Sequence, residues 1–294
     1  MQIETFKVFC DLTETESFTK AAQISGITQS AVSQQISTLE RQFDCLLIER
    51  SKKKFRLTRE GSLLYETGKN IIRTFEALQS QIQETRDTIT GAIRLSTIYS
   101  IGIHDLPPFL TRFLKAHPTV HVHVEYQRSN QVYEDVVGNV ADLGLVAYPE
   151  PDPRLDIVEL RRDSMVLICA PSHPLARQKT IKLSSLQNQR FIAFEPDIPT
   201  RKALDKLLAS RKVVVNNTME FDNIETVKRA VEIEAGVSIV PLSTVTQEIE
   251  KKTLLAHSFA DIEIQRPVAL ISKQGKVMNP AMREFIKVLR GEAL

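Results

Sequence analysis

A patch of short polar side chains and a run of basic ones lie close together in the first sixty residues. Ser30, Ser33, Gln34 and Ser37 fall within about 100° of one helix face if the chain turns 100° per residue. Solvated helix faces usually carry Lys and Glu, whereas short hydroxyls and amides suit close approach to base edges and phosphate oxygens. Six basic residues and no acidic one lie from Arg50 to Arg59. Together the two features favour DNA binding over a solvated basic loop.

Three helices are predicted to position this patch. Apolar spacing indicates a first helix over 3–12, a short second helix capped by Ser17, and a third helix capped by Thr28. Gly26 supplies the tight break between the second and third helices, which is typical of a helix-turn-helix. An apolar stripe opposite the polar patch is expected to pack on the first two helices: Val32, Ile36, Leu39 and Phe43.

A cationic hairpin is predicted directly after the third helix. The segments 46–50 and 55–58 have the composition of two short strands, joined by 51–54. A helix-turn-helix followed by a basic hairpin is a winged helix, in which the hairpin contacts the sugar-phosphate backbone or minor groove.

The N-terminal sixty residues resemble the signature of LysR-type transcriptional regulators. Four segments carry the resemblance: 17–22 (SFTKAA), 28–36 (TQSAVSQQI), 47–50 (LIER) and 57–61 (LTREG). The resemblance implies that Gln29, Ser33 and Gln34 contact the operator, that Thr28 and Arg50 contact phosphates, and that Lys53, Lys54 and Arg56 belong to the wing. Ser30 stands where the family commonly has proline, and Ile48 where it commonly has phenylalanine. The three wing lysines replace a commoner glycine-arginine type, so we expect phosphate attraction there rather than minor-groove insertion.

We therefore predict a DNA-contacting set that combines the patch, the family positions and the wing. Its members are Thr28, Gln29, Ser30, Ser33, Gln34, Ser37, Arg50, Lys53, Lys54 and Arg56.

A long helix is predicted to follow and to pair subunits. Positions 64, 68, 71, 75, 78, 82, 85 and 89 alternate steps of four and three, and six of the eight are apolar. This 3.5-residue period is typical of a coiled-coil seam, although an ordinary long amphipathic helix stays open as the alternative. The family resemblance implies the same pairing, which would place two DNA-reading heads on a palindromic operator.

The remaining two hundred residues alternate strand and helix patterns, which predicts an α/β domain with a largely parallel sheet. The predicted strands are 93–98, 120–124, 142–146, 165–169, 190–194, 213–219, 236–241 and 267–271, and the predicted helices are 106–116, 200–209, 224–234 and 280–290. The segments 106–107 (LP), 117–118 (HP), 172–175 (SHPL) and 234–241 (EAGVSIVP) extend the LysR-type resemblance over nearly the whole chain.

The resemblance implies a C-terminal domain like a periplasmic solute-binding protein, with two α/β lobes, two crossing strands near 161–164 and 265–268, and a small-molecule cleft. The expected fold class is an α+β multi-domain chain. It comprises a winged helix-turn-helix (1–58), a linker dimerisation helix (59–90) and an effector-binding domain (91–294). Lobe I is expected over 91–161 and 268–294, and lobe II over 162–267.

The resemblance also implies seven effector-cleft positions: Ser100, Ile101, Tyr148, Pro199, Thr200, Phe221 and Asp222. Helix N-termini in such a cleft favour anions. Here, however, Glu195 and Asp197 add negative charge, and two prolines in the same loop donate no N–H. A bound oxyanion is therefore less expected than in many relatives, although Thr200, Arg201 and the helix terminus could hold one.

Other functional classes find less support. The 294 residues contain no apolar run of the roughly 20 residues that span a bilayer, no signal-peptide pattern and only three scattered cysteines, so a cytoplasmic protein is expected. His121 and His123 are interpreted as a solvated pair rather than metal ligands, and Asp105, Glu125 and Asp135 as surface acids. Catalytic motifs such as GxSxG, HExxH or a Walker loop are missing, so no enzyme, metal or cofactor is expected.

The sequence thus predicts a homo-oligomeric DNA-binding transcriptional regulator. Its C-terminal domain is expected to sense a small molecule of unknown identity and to change oligomer geometry and DNA bending. RNA polymerase is a further expected partner, while a dimer or a tetramer stays open. The alternative is an α/β enzyme or solute-binding module with a fused DNA-binding head.

Overall fold

The computed structural model describes residues 2–49, 55–84, 89–178 and 180–292, which contain ten α-helices and nine β-strands. The helices are α1 (Ile3–Thr15), α2 (Phe18–Ser25), α3 (Gln29–Phe43), α4 (Arg59–Glu84), α5 (Leu106–Ala116), α6 (Ser129–Val137), α7 (Pro199–Ser210), α8 (Ile224–Glu232), α9 (Thr246–Glu250) and α10 (Pro280–Leu289). The strands are β1 (Gly91–Ile98), β2 (Val120–Gln127), β3 (Leu143–Ala147), β4 (Leu155–Cys169), β5 (Arg190–Phe194), β6 (Asn216–Phe221), β7 (Ser238–Pro241), β8 (Leu255–His257) and β9 (Gln265–Lys273). None of the helices in these ranges is long and apolar enough to cross a membrane.

Helices α1–α3, together with the described residues 44–49 and 55–58, form an N-terminal unit that we call the head. It has its own hydrophobic core. Val32, Ile36 and Leu39 are buried against α1 and α2, as the apolar stripe predicts. Phe43 was expected to complete the stripe, but it is 43% exposed. It is the last residue of α3, immediately before the left-handed C-cap, so the buried face ends one turn earlier.

The base of the predicted hairpin is present after α3. Ile48 and Leu57 form a single antiparallel bridge, and the Glu49 N–H donates to the Arg56 carbonyl at 2.9 Å. The joining segment 51–54 lies outside the described residues. The two predicted strands are therefore much shorter than expected in the part that the structure describes.

Helix α4 begins at Arg59, as predicted. The predicted coiled-coil seam, however, packs on the head at its start and is exposed only further along the helix. Leu64 packs on the core of the head, and a Cβ added at Gly68 would lie 3.3 Å from the Phe6 side chain. Further along the same face, Ile71 and Leu78 are 40% and 50% exposed. The exposed apolar face thus starts at Ile71, because the first two seam positions are used within the chain.

The far end of the predicted seam also differs. The helix is described as far as Glu84, and Thr85 lies outside the described residues. Ile89 is not helical: its side chain packs on the core next to β1, and its carbonyl accepts a hydrogen bond from Thr119. It belongs to the start of the following domain.

Lobe I is built on β2, β1 and β3, with α5, α6 and α10 packed on that sheet. Strands β1 and β2 run parallel, and so do β1 and β3. Lobe II contains the parallel pair β5 and β6, together with β7, β8 and α7–α9.

Two long strands join the lobes. Strand β4 pairs antiparallel with β9 from Leu155 to Ser164, and then with β7 from Met165 to Ile168. Strand β9 in turn pairs antiparallel with β3 of lobe I. The expectation of a largely parallel sheet is therefore wrong for the crossing strands, since a strand that returns to the other lobe must reverse direction. The sequence indicated only 165–169, the apolar second half of β4.

Glu14 on α1 ties the head to α4 and to lobe I. Its carboxylate accepts hydrogen bonds from the Tyr65 hydroxyl at 3.0 Å and from the Asn139 amide at 3.2 Å, and it pairs with Lys69 and Lys273. The side chain is 14% exposed. These contacts join three parts of the chain through one carboxylate.

Asp11 lies one turn earlier on α1, and its burial gives a testable pH dependence. Burial, and next the negative charge of Glu14, raise the pKa of Asp11 to about 6. Because the folded state then binds a proton more readily than the unfolded state, the thermal midpoint of the head should rise as the pH falls from about 7 to about 5. Asp11→Asn should remove this rise and stabilise the head at pH 8 by about 2 kcal/mol.

Thermal unfolding across that pH range checks the Asp11 prediction, with Glu250→Gln, at an exposed carboxylate, as the control. The raised pKa of Asp11 would be contradicted if the thermal midpoint of the wild type fell steadily as the pH was lowered and that of Asp11→Asn fell in the same way.

Candidate DNA-reading face and effector cleft

The predicted patch is an exposed face at the start of α3. Thr28 caps the helix, since its hydroxyl accepts the Ala31 N–H at 3.2 Å and also contacts the Ser30 hydroxyl at 2.9 Å. Gly26 ends α2 at a φ of 64°, in the left-handed region that favours glycine, and so allows the turn between the two helices.

All six helix positions of the predicted DNA-contacting set are exposed: Thr28, Gln29, Ser30, Ser33, Gln34 and Ser37. Within the described ranges, no hydrogen bond holds the side chains of Gln29, Ser33 or Gln34. Such amides and hydroxyls can donate to and accept from base edges without first breaking an internal contact.

The wing positions are only partly described. Arg56 is exposed beside the Ile48–Leu57 bridge. Arg50, Lys53 and Lys54 lie outside the described residues. The proposed wing contacts of those three therefore stay predictions.

A cleft with a cavity of about 280 Å³ separates the lobes at the ends of β1, β2 and β5. Its floor contains three polar side chains that are at least nine-tenths buried, those of Ser100, Thr200 and Arg266. Charged residues line its rim, among them the half-buried Arg128 and the exposed Asp197. The cleft therefore combines buried hydrogen-bond donors with a charged rim.

Two arginines and two aspartates form a network beneath the floor, in which Arg161 is half-buried and the other three are buried. Arg266, 2% exposed on β9, binds Asp163 of β4 at 2.6 Å through Nη2 and donates to the Ser100 hydroxyl at 2.9 Å through Nη1. Arg161 binds Asp105 at 2.8 Å and Asp163 at 3.1 Å. Ser100 lies just before the single π-helical turn Ile101–Asp105, so this network joins the cleft floor to both crossing strands.

A second ionic contact crosses the rim of the cleft. Nη2 of Arg128, just before α6 in lobe I, donates to Glu195 Oε2 at 2.6 Å and to the Asp197 carboxylate at 2.8 and 2.9 Å. The hydrogen bond that Arg128 donates to Glu195 is the first cause that holds the pKa of Arg128 above its ordinary value. Arg128 on the opposite lobe therefore offsets one of the two negative charges noted in the sequence of this loop.

Comparison with known proteins decides the family. A family model described as "LysR substrate binding domain" matches residues 86–294, and one described as "Bacterial regulatory helix-turn-helix protein, lysR family" matches residues 3–62. The chain belongs to the LysR family of transcriptional regulators. It is a DNA-binding regulator with an effector-binding domain.

Relatives and solved structures agree with this assignment along the chain. The regulator CysL of Bacillus subtilis is 28% identical over 92% of this chain and 91% of its own. A full-length OxyR from Pseudomonas aeruginosa has a TM-score of 0.74 at 20% identity, covering 99% of this chain and 94% of its own. The CcmR regulatory domain of Synechocystis, in complex with 2-PG, has a TM-score of 0.63 at 24% identity, covering 69% and 97%.

In this LysR-type regulator, the structure brings five of the seven predicted effector positions together in the cleft: Ser100, Tyr148, Pro199, Thr200 and Asp222. The other two are elsewhere. Ile101 is 1% exposed in the core of lobe I, and Phe221 packs on the core of lobe II. Both immediately adjoin cleft residues, but their apolar side chains point into the packed layers.

Arg201 does not serve the cleft either. Its guanidinium binds Asp205, Glu220 and the Phe194 carbonyl at 2.6–2.8 Å, and it is 8% exposed. Of the residues suggested for an oxyanion, only Thr200 lines the cavity.

Three residues important to the site of this regulator were missed from the sequence. Arg128 precedes α6, a helix that is not among those predicted from the sequence, so no local pattern marks it as the start of a helix facing the cleft. Arg266 precedes the predicted strand 267–271 and lies in the crossing strand that the family resemblance places near 265–268, where a charged residue is normally taken as exposed. Asp105 was interpreted as a surface acid, but it is 9% exposed and paired with Arg161, so that interpretation is wrong. Asp135, 4% exposed and bonded to Ser96, is a second such error.

No cluster of three or more His, Cys, Asp or Glu residues that could hold a metal ion occurs among the described residues. His123 bonds Glu125 at 3.0 Å, and both side chains are exposed. The histidine pair on β2 thus has the solvated setting that the sequence suggested.

Proposed function

We propose that this regulator reads its operator through Gln29, Ser33 and Gln34, with Thr28, Ser30, Ser37 and the wing residues Arg50, Lys53, Lys54 and Arg56 on the sugar-phosphate backbone or adjacent base edges. The observation that supports the proposal is the exposed α3 face, on which the side chains of Gln29, Ser33 and Gln34 have no internal hydrogen-bond partner among the described residues. In a helix-turn-helix, this is the face that enters the major groove.

Base reading and phosphate contact can be separated by two substitutions. Gln29→Ala should lower the ratio of operator to random-DNA affinity by about tenfold, because a bidentate amide contact discriminates by about 1–3 kcal/mol. Lys53→Ala should weaken binding to both DNAs alike and make the salt dependence shallower.

Fluorescence anisotropy with operator and scrambled duplexes, at several salt concentrations, measures both effects. The operator is first obtained by sequencing the DNA that is recovered with the protein from its own cells. Equal losses on both duplexes for Gln29→Ala would remove Gln29 from the base-reading set.

We further propose that the inter-lobe cleft binds a small polar effector and that Ser100 and Thr200 contact it, with Tyr148, Pro199 and Asp222 around it. The volume of about 280 Å³ and the buried donors on the floor support a small metabolite. A related regulatory domain, that of CcmR, is in complex with 2-PG. The effector would change lobe closure, and through it the geometry of the oligomer and the bend of the DNA.

Footprinting tests this coupling. Ligands that raise the thermal midpoint of the protein should also change the length or spacing of its protected DNA. If ligands that bind the protein all leave the footprint unchanged, effector binding is not coupled to the geometry of the DNA complex.

The division into a head (1–58), a linker helix (59–90) and an effector-binding domain (91–294, with lobe II over 162–267) is part of this proposal. A contact with RNA polymerase and a cytoplasmic location also stay predictions.

A further inference from the structure

The two lobes are tied across the cleft rim by one guanidinium and two carboxylates. Arg128 comes from the junction of β2 and α6, whereas Glu195 and Asp197 lie between β5 and α7. The chain between them runs through the crossing strand β4, so the contact is not a local consequence of neighbouring sequence. It exists only while the lobes are close together.

The position of this contact makes it sensitive to lobe movement. The buried Arg266 network occupies the floor next to the crossing strands, while Arg128 is at the rim, with its side chain 39% exposed. Because the lobes turn about the crossing strands, separation is larger at the rim than at the floor. Opening would therefore break all three hydrogen bonds of Arg128 together.

A second contact between the lobes behaves differently. His104 of lobe I binds Glu225 of α8 at 2.7 Å, but the same Glu225 oxygen also binds Lys228 at 2.9 Å within lobe II. Opening would leave Glu225 paired with Lys228. Among the described residues, Arg128, Glu195 and Asp197 have no such alternative ionic partners, so their contact contributes more to the preference for closure.

We propose that Arg128, Glu195 and Asp197 form an ionic latch that holds the cleft closed before any ligand binds. The latch also makes Arg128 a specificity-determining residue, because a ligand with an acidic group at the rim must compete with two carboxylates for its guanidinium. Only this second consequence rests on the proposed effector role of the cleft. Two carboxylates on one arginine should shift the open–closed ratio by about tenfold.

The latch is tested by measuring lobe separation in the ligand-free, full-length protein. Spin labels are attached to cysteines introduced at Glu134 on α6 and Lys206 on α7, both exposed, in a chain whose half-buried Cys45 is replaced by serine. Dilution with unlabelled protein keeps the distances within one subunit. The condition that is varied is the concentration of sodium chloride, and no ligand is added.

The wild type should give one short distance at about 0.05 M salt and a broader, longer distribution at about 0.5 M, because screening weakens exposed pairs. Arg128→Ala should give the long distribution at both salt concentrations. Arg154→Ala is the control: Arg154 also pairs with a carboxylate, that of Asp152, and its side chain is 64% exposed, but both members of that pair lie within lobe I. It should behave like the wild type.

Charge reversal provides an independent check against a general loss of structure. Arg128→Glu should open the cleft, and adding Glu195→Lys and Asp197→Lys should restore the short distance. An Arg128→Ala distribution that matches the wild type at both salt concentrations, or a triple variant that stays open, would overturn the latch. These distances are measured without ligand, so they test the latch even if no effector of the cleft is found. The latch and the proposed effector role of the cleft can therefore fail independently.

Discussion

Arg266→Met will lower the free energy of unfolding by about 3–5 kcal/mol, because it removes the main ionic partner of the buried Asp163 carboxylate. Arg266 is 2% exposed and Asp163 is 7% exposed, and they are joined at 2.6 Å. Arg161 also contacts Asp163, but it is shared with Asp105. In the variant, the Arg161 guanidinium would be the ionic partner of two buried carboxylates, those of Asp105 and Asp163.

Removing both members of the pair should be much less harmful. Replacing a buried ion pair with apolar residues of similar volume is often neutral or stabilising, so Arg266→Met with Asp163→Leu should recover most of the loss. Ser100→Ala removes only the hydrogen bond to Arg266 and should cost about 1 kcal/mol. Chemical denaturation of the three variants measures these differences.

Two outcomes would contradict this account of the network. One is an Arg266→Met protein as stable as the wild type, which would mean that the carboxylate is not effectively buried. The other is a double variant that is less stable than Arg266→Met, which would mean that the pair itself contributes the stability.

The helices of the head could be predicted because their signals are local. Ser17 and Thr28 were expected to cap α2 and α3, and both hydroxyls accept a backbone N–H of the following turn. A cap and a 3.6-residue apolar period involve residues a few positions apart, so one sequence is enough to identify them. Phe43 fits the same period but is exposed, because the end of the stripe depends on where the packed helices stop.

The cleft was predictable only where the family resemblance supplied positions. Ser100 and Thr200 line it as expected, whereas Arg128 and Arg266 were not predicted. Their partners, Glu195, Asp197 and Asp163, are 67 to 103 residues away along the chain. Pairing over such separations is set by the topology of the crossing strands, which periodicity does not encode. A charged residue in a strand gives no local sign that its partner is buried with it.

Ile71→Lys combined with Leu78→Lys will dissociate the oligomer and weaken operator binding by 100-fold or more. The LysR regulators oligomerise, and these two side chains are 40% and 50% exposed on one face of α4, seven residues apart. A lysine at either place would bring two like charges together in a paired helix. When two linked heads bind two half-sites, the second contact gains about 10²- to 10⁴-fold in effective affinity, which a monomer lacks.

The chain itself offers a matched control. Asn70→Lys with Glu66→Gln changes the net charge by the same two units at exposed positions of α4, about 80° or more around the helix from Ile71 and Leu78. This variant should keep both the oligomer and the affinity. Sedimentation equilibrium gives the mass, and anisotropy with duplexes of one or two half-sites gives the affinity.

The comparison of the two duplexes is the critical measurement. The Ile71→Lys and Leu78→Lys protein should bind one half-site as well as the wild type does, since the α3 face is unchanged, and should gain nothing from the second half-site. An intact oligomer with full affinity for the double site would show instead that subunits pair through another surface, and that the exposed face of α4 has a different use.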